Sequence, residues 1–224
     1  MPVTMKNNHI LNIGYPKCGT TWCWELLTQQ PWFSAPREKE NTDLEFRVPL
    51  EKYIDSYVDH DITANFNPRL AFLDRYLIKQ LSELSTVQAS IILRNSFDLL
   101  WSLYNFGGPD AKESFNESVK NIIEQGWFHR PAHVIKRWQE YFTPDRFHIF
   151  YYDDIQKNNN EFFKNYCSKM QLPSPTLKEK DITVNKTRYI YLDSDLSPKV
   201  VKIINQEIDN LQDLLKYDLS TWKK

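Results

Sequence analysis

Residues that could do chemistry cluster early in the chain, in Ile10-Leu11-Asn12-Ile13-Gly14-Tyr15-Pro16-Lys17-Cys18-Gly19-Thr20-Thr21-Trp22. The order reads as a short apolar strand, a tight turn carrying a lysine, and a helix that opens on two threonines. This is the layout of a loop that cradles phosphate. A helix N-terminus leaves N–H groups without partners and carries partial positive charge, so it attracts anions. Glycine lets the backbone bend and approach a ligand closely. Thr20 and Thr21 are candidates both to cap the helix and to donate hydroxyls to phosphate oxygens. Lys17 adds a full positive charge. The spacing departs from the nucleoside-triphosphate pattern G-x-x-x-x-G-K-[ST], in which lysine follows the second glycine. Gly14 and Gly19 keep the glycine spacing, but Thr20 stands at the lysine position and the lysine lies inside the loop, at Lys17.

Such a loop must be positioned by a strand before it and a helix after it, and the rest of the chain supplies more of both. Residues 9–14 read as a strand and 20–29 as a helix. Leu50 to Val58 reads as a short helix, and apolar residues recur at helical spacing over 69–84. Val87 to Leu93 is apolar and β-branched, the mark of a buried strand. Phe97, Leu100, Trp101 and Tyr104 predict a helix ending at Gly107-Gly108. Val134, Ile135, Trp138, Tyr141 and Phe142 mark another helix, with Pro131 near its first turn. Arg146 to Tyr151 is strand-like and 154–169 helical, with Asn158-Asn159-Asn160 read as a solvated stretch. After a looser run from Leu172 to Leu196, Ser197-Pro198 opens a last helix with Val201, Ile204, Ile208, Leu211 and Leu215 on one face. Strands alternating with helices predict an α/β fold, a central and mostly parallel sheet flanked by helices. Ligands in such folds bind at the carboxyl ends of strands, where the Gly14–Gly19 loop falls.

The bulk properties set limits. The chain has 224 residues, within the reach of a single domain, and residues 1–224 are taken as one. A net charge of −1 gives no polybasic face for nucleic acid. No apolar run approaches the ~20 residues of a membrane span, and the N-terminal residues lack the apolar core of a signal peptide. Cys18, Cys23 and Cys167 form no disulfide framework and lack the paired spacing of a zinc site. The expected setting is therefore the reducing cytoplasm. Cys18, beside a helix start, is a candidate reactive thiol, set against the plainer role of a small filler. Nothing in the residue pattern predicts a metal centre or an oligomeric state.

A second anchor follows the strand Ser90-Ile91-Ile92-Leu93. Arg94 ends it, and Ser102 lies eight positions on, about two turns into the next helix. A guanidinium and a hydroxyl so placed can hold a second phosphate.

With both anchors in hand, the chain resembles the sulfotransferases that use 3′-phosphoadenosine 5′-phosphosulfate (PAPS), in a P-loop-like architecture. Tyr15-Pro16-Lys17-Cys18-Gly19-Thr20-Thr21-Trp22 is similar to that family's 5′-phosphosulfate loop. Leu93-Arg94-Asn95-Ser96-Phe97-Asp98-Leu99-Leu100-Trp101-Ser102-Leu103-Tyr104 is similar to its 3′-phosphate segment. Lys39-Glu40 resembles the Lys-Glu pair of the glycan-modifying branch, Asn67-Pro68 a Ser-Pro that precedes a family helix, and Tyr217 to Trp222 the family's ending. Ser96, Leu99 and Leu103 depart from that pattern. The resemblance implies sulfuryl transfer from PAPS to a hydroxyl or amine of a small-molecule or glycan acceptor, without a metal. It implies that Lys17 stabilises the leaving oxygen, that Cys18 to Thr21 hold the 5′-phosphate, and that Arg94 and Ser102 hold the 3′-phosphate. Lys186 and Arg188 would belong to a basic loop covering the nucleotide; Trp22, by its own ring, is a candidate to stack on adenine or sugar, set against a place in the core. The base would be Glu40, though Arg37-Glu38 repeats the same basic–acidic pattern. Small-molecule members use a histidine instead, which makes His60, His129 and His133 alternatives. Two other readings stand beside this one. An ATP-dependent P-loop kinase would use Asp153-Asp154 as its metal-binding acids. A non-catalytic module would bind nucleotide alone.

Overall fold

The computed structural model describes residues 8–106, 114–124, 130–177 and 196–224. Its sheet holds β1 (Asn8–Asn12), β2 (Ile62–Asn65), β3 (Val87–Leu93) and β4 (Phe147–Tyr151) in the order β2-β1-β3-β4, with every neighbouring pair parallel. All of β3 is buried, as a continuous apolar run covered on both faces requires. Parallel neighbours need crossovers. α1 (Thr20–Thr28) and α2 (Leu50–Asp55) lie between β1 and β2 in the chain, and a 3-10 turn (Pro68–Phe72) followed by α3 (Arg75–Glu83) leads to β3. The chain leaves β1 toward β2 on one side and returns to β3 on the other. The strand order therefore reverses at β1 and β3, whose carboxyl ends flank the crevice where ligands bind in such sheets.

Between β3 and β4 come α4 (Ser96–Phe106), α5 (Phe115–Glu124) and α6 (Pro131–Gln139). After β4 follow α7 (Tyr152–Lys157), α8 (Asn159–Lys169), α9 (Pro198–Leu215) and a 3-10 turn, Ser220–Trp222. The chain divides into two compact units, Met1–Leu93 with Arg137–Val184, and Arg94–Lys136 with Asn185–Lys224.

In the first unit, the aromatic rings of Trp138, Phe142 and Phe147 pack together, Trp138 and Phe147 stacked at 6.3 Å. Arg146 donates to the carbonyls of Ser82 (2.7 Å) and Leu84 (3.0 Å), satisfying acceptors left open at the end of α3. In the second unit, Phe115 joins α5 to α4 through Trp101 (4.7 Å) and Tyr104 (5.3 Å). The Glu207 carboxylate of α9 accepts from the Ala132 N–H at 2.9 Å, tying down the start of α6. Burial raises the pKa of that carboxyl.

Several boundaries differ from the sequence expectation. The helix expected over 69–84 is broken at Leu73-Asp74, because Asn67 caps the 3-10 turn and Asp74 starts α3 afresh by accepting from Leu77 N–H at 2.9 Å. The helix expected over 154–169 is two helices. Asn158 ends α7 and caps α8 by accepting from Glu161 N–H at 3.2 Å. Its side chain thus makes a structural bond rather than simply meeting solvent. Gly107-Gly108 lie outside the described residues, as does most of the looser run before Leu196. No helix among the described residues is long and apolar enough to cross a membrane.

Candidate functional site

The loop after β1 is set by close packing against β3. Ile13 N–H donates to Ser90 O at 2.8 Å, and Asn12 Nδ2 donates to Ser90 Oγ at 3.1 Å, which lies 3.2 Å from Tyr166 Oη. A β-carbon on Gly14 would stand 3.1 Å from the Ile92 nitrogen. Glycine fits this approach of backbone to backbone without displacing β3, which a β-carbon would crowd.

Within the loop, Lys17 (φ 66°) and Gly19 (φ 82°) both occupy the left-handed region. Gly19 is the residue before α1, and no side chain caps the helix. The threonines are therefore not caps, as the sequence suggested; Gly19 takes that place and both lie in the first turn. Thr20 is buried and Thr21 exposed, so the two hydroxyls sit in different environments. No acidic residue occupies the first turn of α1, so the helix's own first turn adds no negative charge to its partly positive N-terminus. The backbone thus provides what an anionic phosphate needs, with the half-buried Lys17 beside it. Cys18 is buried completely, shut away from solvent and hence from reagents. Trp22 is half-buried and packs its ring against Phe162 (6.0 Å) and Phe163 (6.1 Å) of α8.

Gly19 offers a direct test of the loop. An added β-carbon would lie 2.8 Å from Ile155 Cδ1 and 3.3 Å from the Tyr152 ring, in a conformation that L-residues resist. Gly19→Ala is expected to destabilise the fold by about 2 kcal/mol, roughly 5 °C in Tm, by calorimetry. Unchanged Tm would mean that the loop relaxes without cost.

The segment carrying Lys39 and Glu40 lies at the carboxyl end of β2, next to the carboxyl end of β1 in the sheet. Lys39 Nζ contacts Glu40 Oε1 at 2.7 Å, and the Glu40 side chain is 51% exposed to solvent. Arg37 instead pairs with Asp43 at 2.9 Å. The two basic–acidic repeats are thus distinguished by partner. Together Pro36, Arg37, Glu38, Glu40, Asn41, Thr42 and Asp43 line an open cleft of about 590 Å³.

In the second unit, Arg94 and Ser102 are each buried to 5% exposure. Arg94 directly follows β3, and Asn95 starts α4 by accepting from Phe97 N–H at 3.0 Å. Of the alternative bases, His60 is half-buried in the turn after α2 and His133 is exposed in the first turn of α6. His129, Lys186 and Arg188 lie outside the described residues. Asp153 and Asp154 occupy the first turn of α7, where the helix dipole favours negative charge. Among the described residues no three His, Cys, Asp or Glu side chains gather as metal ligands.

Sequence reasoning missed one polar cluster. His9 bonds Thr63 Oγ1 (2.8 Å) through Nδ1 and Tyr53 Oη (2.7 Å) through Nε2, joining β1, β2 and α2. Burial lowers its pKa to about 3. A lone histidine at a strand start carries no local signal of this; its partners are more than forty residues away in sequence.

The chain is similar to several characterised proteins. Over 175 residues it is 25% identical to "Sulfotransferase 2A1" of Rattus norvegicus, covering 73% of this chain and 59% of that protein. It is 24% identical to "Amine sulfotransferase" of Oryctolagus cuniculus over 165 residues, covering 69% of this chain and 53% of the relative. The chain thus spans less than two thirds of the length of these relatives. Its fold matches the sulfotransferase from Alicyclobacillus acidocaldarius with a TM-score of 0.70 at 15% identity, over 99% of this chain and 100% of the other. It also matches mouse sulfotransferase SULT7A1 complexed with PAP, with a TM-score of 0.61 at 12% identity, over 97% and 86%. The family described as "Sulfotransferase domain" matches residues 7–210, nearly the whole of the sheet and its helices, and the chain belongs to that family.

Proposed function

We propose that the chain, as one domain, transfers a sulfuryl group from PAPS to a hydroxyl or amine on an acceptor. The observation that carries this reading is the loop after β1, where Lys17 is held in the left-handed region beside a helix N-terminus that no side chain caps. Bound PAPS would supply the sulfuryl group and a phosphate leaving group. The N–H groups of Cys18 to Thr21 would hold the 5′-phosphate. Lys17 would stabilise charge that develops on the leaving oxygen, where a positioned charge acts on the transition state more than on the ground state. Arg94 and Ser102 would grip the 3′-phosphate by their resemblance to the family's motif. Trp22 would stack on the nucleotide, and Lys186 and Arg188 keep the covering role that the resemblance gives them.

Glu40 is the proposed base. Like Glu38 it is an exposed carboxylate of the cleft at the sheet's carboxyl edge, on the same edge as the Lys17 loop, and unlike Glu38 it is paired with Lys39. A carboxylate there can take the proton that an acceptor hydroxyl or amine must lose. The Lys39-Glu40 pair supports an acceptor of the glycan type, while the amine sulfotransferase among the relatives supports an amine. Both fall within one chemistry, removal of a proton from a nucleophilic O–H or N–H. Three buried cysteines outside any disulfide fit a reducing, cytoplasmic setting.

The kinase reading differs in the ligand it requires, and thermal shift separates the two. 3′-Phosphoadenosine 5′-phosphate (PAP) at about 100 times its Kd is expected to stabilise the protein by about 2.7 kcal/mol, and ATP·Mg²⁺ by much less. Stabilisation by ATP·Mg²⁺ alone would overturn the proposal. Radiolabelled sulfate should then pass from PAPS to at least one member of a panel of 2-naphthol, 1-hexanol, hexylamine and N-acetylglucosamine. PAP binding without transfer to any acceptor would favour the non-catalytic reading.

A further inference from the structure

Glu40 sits in a loop, and a loop alone does not hold a base within the tolerance that proton transfer needs. The residues on either side of it are nevertheless fixed. The Lys39 carbonyl accepts from Phe66 N–H at 2.8 Å. The Asn41 carbonyl accepts from two side-chain amides at once, Asn65 Nδ2 and Asn67 Nδ2, each at 3.0 Å. Three consecutive residues at the end of β2 thus hold the two carbonyls that flank Glu40. All three are at most 1% exposed, so water does not compete for these bonds. Asn65 also donates to Tyr53 Oη at 3.3 Å, which binds His9, and β2 is paired to β1 at Leu11↔Asn65. The clasp therefore rests on the strand that leads into the Lys17 loop.

We infer that Asn65 and Asn67 are positioning residues for Glu40, clasping the main chain beside it so that its carboxylate is presented from the sheet rather than from a free loop. This rests on the reading of Glu40 as the base. Asn67 has a second task that the test must respect. Its Oδ1 accepts from Arg69 N–H at 2.9 Å and starts the 3-10 turn. Asn67→Asp keeps that oxygen and replaces the amide donor by an acceptor facing the Asn41 carbonyl. Asn67→Ser removes the amide and keeps a shorter capping hydroxyl, and serves where the charged variant folds poorly.

Two measurements test the clasp. Hydrogen exchange read by mass spectrometry on the segment 36–43 is expected to speed up about tenfold in Asn67→Asp, as befits a lost buried hydrogen bond, with residues 8–12 of β1 unchanged. This readout needs no acceptor, and unchanged exchange in 36–43 would overturn the proposal. In transfer from PAPS to the best acceptor of the panel, Asn67→Asp is expected to lower kcat about tenfold at unchanged KM for PAPS. If Asn67 acts through Glu40, the double variant with Glu40→Gln is no slower than Glu40→Gln alone. Multiplying effects would show that Asn67 acts independently and would overturn the proposal. A slow Glu40→Gln beside a wild-type Asn67→Asp would overturn it alone, leaving the base in place. A wild-type rate in Glu40→Gln would overturn the base itself, and the positioning role with it.

Discussion

Replacing Lys17 by alanine is expected to lower kcat for sulfuryl transfer about a thousandfold, with a smaller change in the affinity for PAP. The magnitude follows from removing one positioned charge from a leaving oxygen, an effect of about 10²–10³ for a single donor in a prepared site. The asymmetry between kcat and binding follows because PAP already carries its charge in the ground state and keeps the helix N-terminus, whereas the leaving oxygen gains charge only on the way to the transition state. The backbone at this position allows stability to be separated from chemistry. Lys17 has φ 66°, a region where a β-carbon costs about 1 kcal/mol relative to glycine. Lys17→Gly should therefore melt about 3 °C above Lys17→Ala and yet be equally slow. If the glycine variant recovers the rate, the slowing in Lys17→Ala does not come from the missing ammonium. If Lys17→Ala stays within tenfold of wild type, Lys17 does not face the leaving oxygen.

Legibility in the sequence tracked the range of the interactions involved. The Gly14–Gly19 loop could be read because its signal is local: two glycines, a lysine and a following helix within a few residues. The same holds for β3, whose seven residues are all buried and all close in sequence, and for α9, whose Ser197 cap stands one residue before its Pro198. β2 escaped the sequence reading. Ile62-Thr63-Ala64-Asn65 is short and only partly apolar, and it is a strand because β1 offers it partners. Helix breaks at Asp74 and Asn158 were missed because apolar periodicity continued across them while a polar side chain took the cap. In the site, Lys39-Glu40 and Arg37-Glu38 looked alike as dipeptides. What separates them is the Asp43 carboxylate that binds Arg37 and the bonds from Asn65, Phe66 and Asn67 that frame Glu40. Those bonds span more than twenty residues of chain, and no local pattern announces them.

Acid is expected to destabilise the first unit chiefly through His9. Its ring is completely buried and neutral, with both nitrogens engaged by Thr63 and Tyr53, and burial lowers its pKa to about 3. The unfolded chain returns it to an ordinary value near 6.5. Between these values the unfolded state binds a proton that the folded state refuses, so stability rises with pH across the window and is lost as pH falls. The contribution is complete above about pH 6.5. It declines by about 2 kcal/mol on reaching pH 5 and by about 4 kcal/mol near pH 3. His148, half-buried and lowered by the same cause, adds in the same direction. Glu207, in the second unit, is raised by burial and acts with the opposite sign at the acid end. Urea unfolding of the wild type at pH 7 and pH 5 should show the loss. His9→Gln, which keeps an amide for one partner but cannot titrate, should be less stable at pH 7 yet lose about 2 kcal/mol less between the two values. A parallel pH dependence in the two proteins would place the acid sensitivity elsewhere. Because the variant removes a buried ring, the wild type supplies a second reading. The His9 ring proton shifts in NMR should stay at their neutral positions down to pH 5, and titration with a midpoint near 6.5 would show that the ring is solvated and that the cluster joining β1, β2 and α2 is open.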